Sequence, residues 1–120
     1  MRKRILVADD DPAIGEMLRE MLSDVGYEVE IEVDGHAVQQ MAEPFPDLLV
    51  LDIRMSGTDG RTICGQLKSQ EATYHLPIII LSAHKDTRQM ARDAGADDFL
   101  VKPFEMGDLL ALVAKYVGRG

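Results

Sequence analysis

The residues in this sequence that could do chemistry share one trait: each comes directly after a run of apolar residues. Asp9, Asp10 and Asp11 follow Ile5-Leu6-Val7-Ala8, Asp52 follows Leu48-Leu49-Val50-Leu51, Ser82 follows Ile78-Ile79-Ile80-Leu81, and Lys102 follows Phe99-Leu100-Val101. Carboxylates gathered without thiols or imidazoles suit a hard divalent cation such as Mg2+, with Mn2+ as its substitute. Asp9, Asp10 and Asp52 crowded together would resist joint ionisation, and a cation would relieve that repulsion. Lys102 offers positive charge to the oxygens of a transferred phosphoryl group, and Ser82 offers a hydroxyl donor. Asp52, the central carboxylate, can be the covalent acceptor, as in aspartyl-phosphate chemistry.

For these groups to meet, the apolar runs must be strands of one parallel sheet, because such a sheet collects its ligands outside the carboxyl ends of its strands. The patterning supports this. Three of the runs are continuous rather than alternating, which is the mark of strands covered on both faces. Between them lie helical segments. Asp11-Pro12 reads as an N-cap with proline at the first helical position, and Ile14, Met17, Leu18, Met21, Leu22 and Val25 form one apolar stripe ending at Gly26. Tyr27-Glu28-Val29-Glu30-Ile31-Glu32-Val33 alternates strictly, as an edge strand does, and Asp34-Gly35 turns the chain.

A weaker helix is expected from about Ala37 to Ala42, another carrying Ile63 and Leu67 to about Ser69 after the Ser56-Gly57-Thr58-Asp59-Gly60 turn, and a third from about Asp86 to Ala94 closed by Gly95. The last helix bears Leu109, Leu110, Val113 and Val117 on one stripe. This is a (βα)5 pattern, and right-handed crossovers place helices on both faces of the sheet, making an α/β three-layer sandwich.

The 120 residues suit one domain, read as 1–120, with a formal net charge of −8 that repels nucleic-acid backbones and anionic lipid. Direct nucleic-acid binding by this domain is therefore not expected. The single cysteine, Cys64, cannot form an internal disulfide and reads as structural. The apolar run after Met1-Arg2-Lys3-Arg4 is too short for a signal peptide, and no stretch nears the ~20 apolar residues that span a bilayer. A cytoplasmic protein without membrane association is expected. Met17 and Met21 read as core, His36 and His75 as residues of solvated turns. The glycines match neither a Gly-x-Gly-x-x-Gly nor a Walker loop.

The order and placement of these motifs resemble the receiver domain of two-component response regulators, the chemotaxis regulator among them, across essentially the whole length. The resemblance rests on the acidic cluster after the first strand, on Leu49-Val50-Leu51-Asp52-Ile53-Arg54-Met55 and on Leu81-Ser82-Ala83. Gly95-Ala96-Asp97-Asp98-Phe99 and Val101-Lys102-Pro103-Phe104 complete it. It implies a flavodoxin-like sheet of order 2-1-3-4-5. It also implies that Asp52 accepts a phosphoryl group from a sensor histidine kinase or a histidine phosphotransfer protein. Asp9, Asp10 and Asp52 would hold Mg2+ with the carbonyl of Arg54 as a further ligand.

By the same resemblance Ser82 and Lys102 would engage the phosphoryl oxygens, Phe99 would change rotamer with state, and the Lys102-Pro103 bond would be cis. Partners implied are an output domain or target protein and, for the phosphorylated form, a second copy of the chain. Catalysis would be limited to the domain's own phosphotransfer and dephosphorylation. In one place the sequence departs from the family: Ser56-Gly57 follows Met55 where proline is common, which bears on the stiffness of that loop. Two alternatives remain open at this point. One is a metal-dependent phosphohydrolase with an aspartyl nucleophile, suggested by Asp9-x-Asp11 but lacking any cap over a substrate. The other is an adaptor independent of phosphorylation.

Overall fold

The structure, a computed structural model, describes residues 2–118. In chain order its elements are β1 (Arg4–Ala8), α1 (Pro12–Asp24), β2 (Glu28–Glu32), α2 (Gly35–Gln39), β3 (Leu48–Asp52), α3 (Gly60–Lys68), β4 (Ile78–Ser82), α4 (Thr87–Ala94), β5 (Asp98–Val101) and α5 (Met106–Val117). All neighbouring strands pair in parallel, and the sheet order is β2-β1-β3-β4-β5, as the resemblance implied. The order reverses between β1 and β3, which places a ligand crevice at their carboxyl ends.

Every residue of β3 and β4 is buried, which is why their sequences are continuous apolar runs. Successive side chains of one strand point to opposite faces, so Leu48 and Val50 enter one core while Leu49 and Leu51 enter the other. The first core packs Ile79 and Leu81 against Leu18 and Leu22 of α1 and Leu109 and Val113 of α5. The second packs Ile78 and Ile80 against Val38 of α2, Ile63 and Leu67 of α3 and Ala91 of α4. The edge strands are less covered: β2 alternates with Glu28 and Glu30 exposed, and β5 is half-buried, with Val101 exposed. The Tyr116 hydroxyl of α5 lies 2.8 Å from the Asp97 carbonyl oxygen and 2.9 Å from Asp98 Oδ2, which ties the last helix to the last strand.

Asp11 caps α1 by accepting from the Ala13 amide at 2.9 Å, with Pro12 at the first helical position. Two members of the expected α1 stripe prove to be surface residues: Met17 and Val25 are 49% and 43% exposed. A helix lying on one face of a sheet buries a narrow strip, here Leu18, Met21 and Leu22, and the flanks of the apolar arc stay in water. The second helix lies earlier than expected, at Gly35–Gln39 rather than Ala37–Ala42. Asp34, read as part of a turn, is its N-cap and accepts from the His36 amide at 2.9 Å. His36 is therefore a helical residue, exposed to solvent. Lys102-Pro103 is cis, as is Glu43-Pro44.

Candidate functional site

The register builds the site. Ala8 pairs with Leu51 across β1 and β3, so Asp9 and Asp52 follow on adjacent strands at the same sheet rim. Asp52 pairs with Leu81, and Ser82 with Val101, which brings Ser82 and Lys102 to that rim as well. The Lys102 amide donates to the Ser82 carbonyl at 2.8 Å, so the hydroxyl and the ammonium are carried on one hydrogen-bonded pair of strands.

Asp9 and Asp52 are only 1% and 3% exposed. The Lys102 ammonium bonds Asp52 Oδ2 and stands 3.6 Å from Asp9 Oδ2. Asp52 Oδ1 accepts from the Arg54 amide at 2.8 Å, and Asp9 Oδ1 from the Asp11 amide at 2.9 Å. Burial pushes the Asp9 carboxyl up to about 6; the Asp52 charge pushes it the same way, while the Asp11 amide and Lys102 oppose the rise. Asp9 Oδ2 is buried without a hydrogen-bond partner. An orphaned buried oxygen is costly, and a hard cation is a natural partner for it.

The donor set fits Mg2+ in this restricted sense: two buried carboxylates, one with a free oxygen, with water left to complete the shell. Asp10 stands exposed at the rim. Among the described residues no three acidic, histidine or cysteine side chains converge as a ready-made cage. The ammonium of Lys102 lies where the two carboxylates most need positive charge.

Asp52 opens onto a cleft of about 620 Å³ lined by Arg54, Arg61, Ser82, His84, Met90 and Lys102, among other residues. It is the only carboxylate among the residues lining the cleft. Ser82 Oγ accepts from the His84 amide at 2.9 Å, and the buried Thr87 hydroxyl donates to the His84 carbonyl. His84 Nδ1 in turn accepts from the Asp86 amide at 3.1 Å, which fixes the ring at the mouth. Phe99 is half-buried against the second core, with the Arg88 guanidinium carbon 5.8 Å from its ring centroid. It does not line the cleft; it pairs with Ile80, two residues before Ser82 on β4.

Arg61 was not singled out from the sequence. It lines the cleft from the first turn of α3, held by Asp59, whose carboxylate accepts from Arg61 Nε at 3.0 Å and from a terminal guanidinium nitrogen at 2.6 Å. A cation at a helix start behind a capping aspartate was the available signal. Cys64, fully buried with its thiol pushed up to about 11 by burial, has no nucleophilic character.

Gly60 explains how α3 approaches the site so closely. A Cβ there would meet the Asp52 carbonyl oxygen and would lie 2.8 Å from Ile53 Cα, both backbone atoms with no room to yield. The Gly60 amide donates to the Ile53 carbonyl at 2.8 Å. Gly60→Ala is expected to cost ~2–3 kcal/mol through overpacking, read as a lower denaturation midpoint in urea. A midpoint equal to wild type would show that the backbone can part without loss.

Residues 5–114 match the response regulator receiver domain family. The response regulator MprA of Mycobacterium ulcerans is 47% identical over 122 residues, covering 99% of this chain and 52% of that protein. The DNA-binding dual master transcriptional regulator RpaA of Synechocystis is 39% identical, covering 97% of this chain and 49% of that protein. The chain thus spans about half the length of the curated relatives it matches. Among solved structures, a putative response regulator from Chloroflexus aurantiacus superposes with a TM-score of 0.89 at 36% identity, covering 99% of this chain and all of that one. The receiver domain of the sensor histidine kinase PA1611 from Pseudomonas aeruginosa, with magnesium coordinated in its active-site cleft, gives 0.88 at 29% identity, covering 98% and 99%.

Proposed function

The chain belongs to the response regulator receiver domain family of two-component systems, and from that premise we propose that Asp52 is its phosphoryl acceptor. The observation that carries the assignment is that Asp52 is the one carboxylate lining the cleft, with Lys102 bonded to it and Ser82 beside it. Asp9 and Asp52, the Arg54 carbonyl and the nearby Asp10 would hold Mg2+. Bound there, the ion supplies charge neutralisation for the phosphoryl oxygens.

The protein's own residues do the rest. An Asp52 carboxylate oxygen attacks phosphorus, the bond from phosphorus to the donor's histidine nitrogen breaks, and that nitrogen leaves with its electron pair. Lys102 passes from the carboxylate to the new phosphoryl oxygens. Ser82 exchanges its role as acceptor from the His84 amide for that of donor to the phosphoryl group. The phosphoryl group, carrying about −1.5 to −2 in place of the carboxylate's single negative charge, then biases a pre-existing equilibrium at β4 and β5, and Phe99, paired one strand away, is the aromatic that follows. A histidine kinase or phosphotransfer protein is the proposed donor. An output domain or target protein, and a second phosphorylated copy, are the proposed receivers. The cytoplasm is the proposed location; no described helix is long and apolar enough to cross a membrane.

The test is incubation with Mg2+ and acetyl phosphate followed by intact mass. One hydroxylamine-labile phosphoryl group is expected, because an acyl phosphate is cleaved by hydroxylamine and a serine phosphate is not. The phosphohydrolase alternative is not favoured: Asp11 of its Asp-x-Asp pair is spent capping α1.

Arg54 and His84 set the lifetime of the modified state. Both line the cleft onto which Asp52 opens, and their bulk beside an Asp52 phosphoryl group hinders attacking water. Alanine at both positions should speed dephosphorylation by up to about tenfold, equivalent to ~1.4 kcal/mol in the barrier, followed by loss of the phosphorylated mass over time. An unchanged decay rate would remove both residues from this role.

A further inference from the structure

Arg54 sits on the segment 53–59 that joins β3 to α3, and that segment is held both by a bridge of its own and by contacts with the start of α2. Its sequence holds Ser56-Gly57 and no proline. Ser56 forms a parallel bridge with Asp34, and its carbonyl accepts from the Gly35 amide at 2.8 Å. Arg54 and Asp59, both within the segment, pair with each other through an antiparallel bridge.

Two glycines let the segment and α2 touch. A Cβ on Gly35 would lie 2.6 Å from Thr58 Cγ2 and 3.0 Å from the Ser56 carbonyl oxygen. Gly57 has φ +88°, and a Cβ on it would lie 2.7 Å from His36 Cδ2 and 3.0 Å from His36 Nε2, so the imidazole rests on the face of that glycine. The ring is set from its other side, with Nδ1 3.2 Å from Gln39 Oε1, while Asp34 caps the helix through the His36 amide.

We propose that the first turn of α2 is a clamp on this segment, with His36 as a positioning residue that keeps Arg54 in register with the Asp52 carboxylate. The proposal rests on the reading of Asp52 as a phosphoryl acceptor beside a divalent cation. His36 touches neither group. It acts through Gly57 and Ser56 on Arg54, whose amide bonds Asp52 Oδ1 and whose carbonyl is a ligand in that reading. Supporting groups of this kind commonly change metal affinity without changing the ligand set.

The experiment compares wild type, His36→Ala and His36→Phe in three readouts: Mg2+ affinity by calorimetry, amide exchange at Gly35 in metal-free protein, and the acetyl phosphate rate across a Mg2+ series. His36→Ala should weaken Mg2+ by about tenfold and speed Gly35 exchange, while the rate at saturating Mg2+ stays at the wild-type value. His36→Phe, which keeps a flat ring on Gly57, should restore affinity and protection. Gly57→Ala should weaken Mg2+ further, and adding His36→Ala to it should recover part of the loss by removing the colliding ring. Should Gly57→Ala fail to fold, the two His36 variants carry the test alone. Mg2+ affinity and Gly35 exchange within twofold of wild type in His36→Ala would overturn the clamp. A wild-type protein that takes up no phosphoryl group would overturn the underlying reading instead.

Discussion

Asp52→Asn should leave the protein unable to take up a phosphoryl group from acetyl phosphate and Mg2+, with its intact mass unchanged under conditions that modify the wild type once. The amide nitrogen of asparagine is no nucleophile, and the cleft holds no second carboxylate to take over. Asp9 is 1% exposed and is not among the residues that line the cleft. The variant should also lose most of its stabilisation by Mg2+. For wild type, metal at ten times its dissociation constant adds about 1.4 kcal/mol, read as a shift in the melting midpoint. A phosphorylated Asp52→Asn protein would mean that the acceptor is another residue, and Ser82 or His84 would be told apart by stability to acid and to hydroxylamine.

Lys102→Met should destabilise the metal-free protein by ~2–4 kcal/mol. The substitution keeps the aliphatic stem and removes the charge, so the loss is electrostatic rather than a cavity. Asp9 and Asp52 would then face each other, nearly fully buried, with no counter-ion. Leaving a buried charge uncompensated costs about 3–5 kcal/mol, and the partial exposure of Lys102, 24% for its side chain, reduces that figure. The loss is bounded because a carboxyl in such a pair can take up a proton instead, and Asp9 is already pushed toward that form by burial. Mg2+ should return more stability to this variant than to wild type, since it replaces the missing charge. Denaturation in urea with and without Mg2+ measures both effects. A loss under 0.5 kcal/mol, within the ordinary range for surface changes, would show that the two carboxylates are neutralised some other way.

Much of this was written in the strands. Continuous apolar runs at 48–51 and 78–81, short and without alternation, suggest strands covered on both sides, and each delivers its polar residue to one rim because parallel strands end together. Asp52, Ser82 and Lys102 were legible for that reason, and Asp9 with them. The clamp of α2 on segment 53–59 was not, since it depends on Gly35 lying against Ser56 and Thr58 and on Gly57 lying against His36, contacts between distant parts of the sequence. Asp34 offered its carboxylate equally to a turn and to a helix start. The burial of Val38 and the contact of Gly35 with Ser56, both tertiary, decide for the helix. The exposure of Met17 and Val25 was hidden for a related reason: spacing gives the centre of an apolar face, and packing against the sheet sets how wide a strip is covered.

The sheet's unequal covering has a mechanical consequence. On one side of Ser82 lies β3, sealed on both faces and unable to shift without opening two cores at once. On the other lies β5, half-covered, with Leu100 packed on the first core and polar ties to α5 through the Tyr116 hydroxyl and a Lys115 ammonium 3.5 Å from Asp98. Any tug on Ser82 therefore has a fixed fulcrum and a compliant arm. Displacement is channelled outward to the margin that carries Phe99 and Val101, and the opposite margin at β2 is left still.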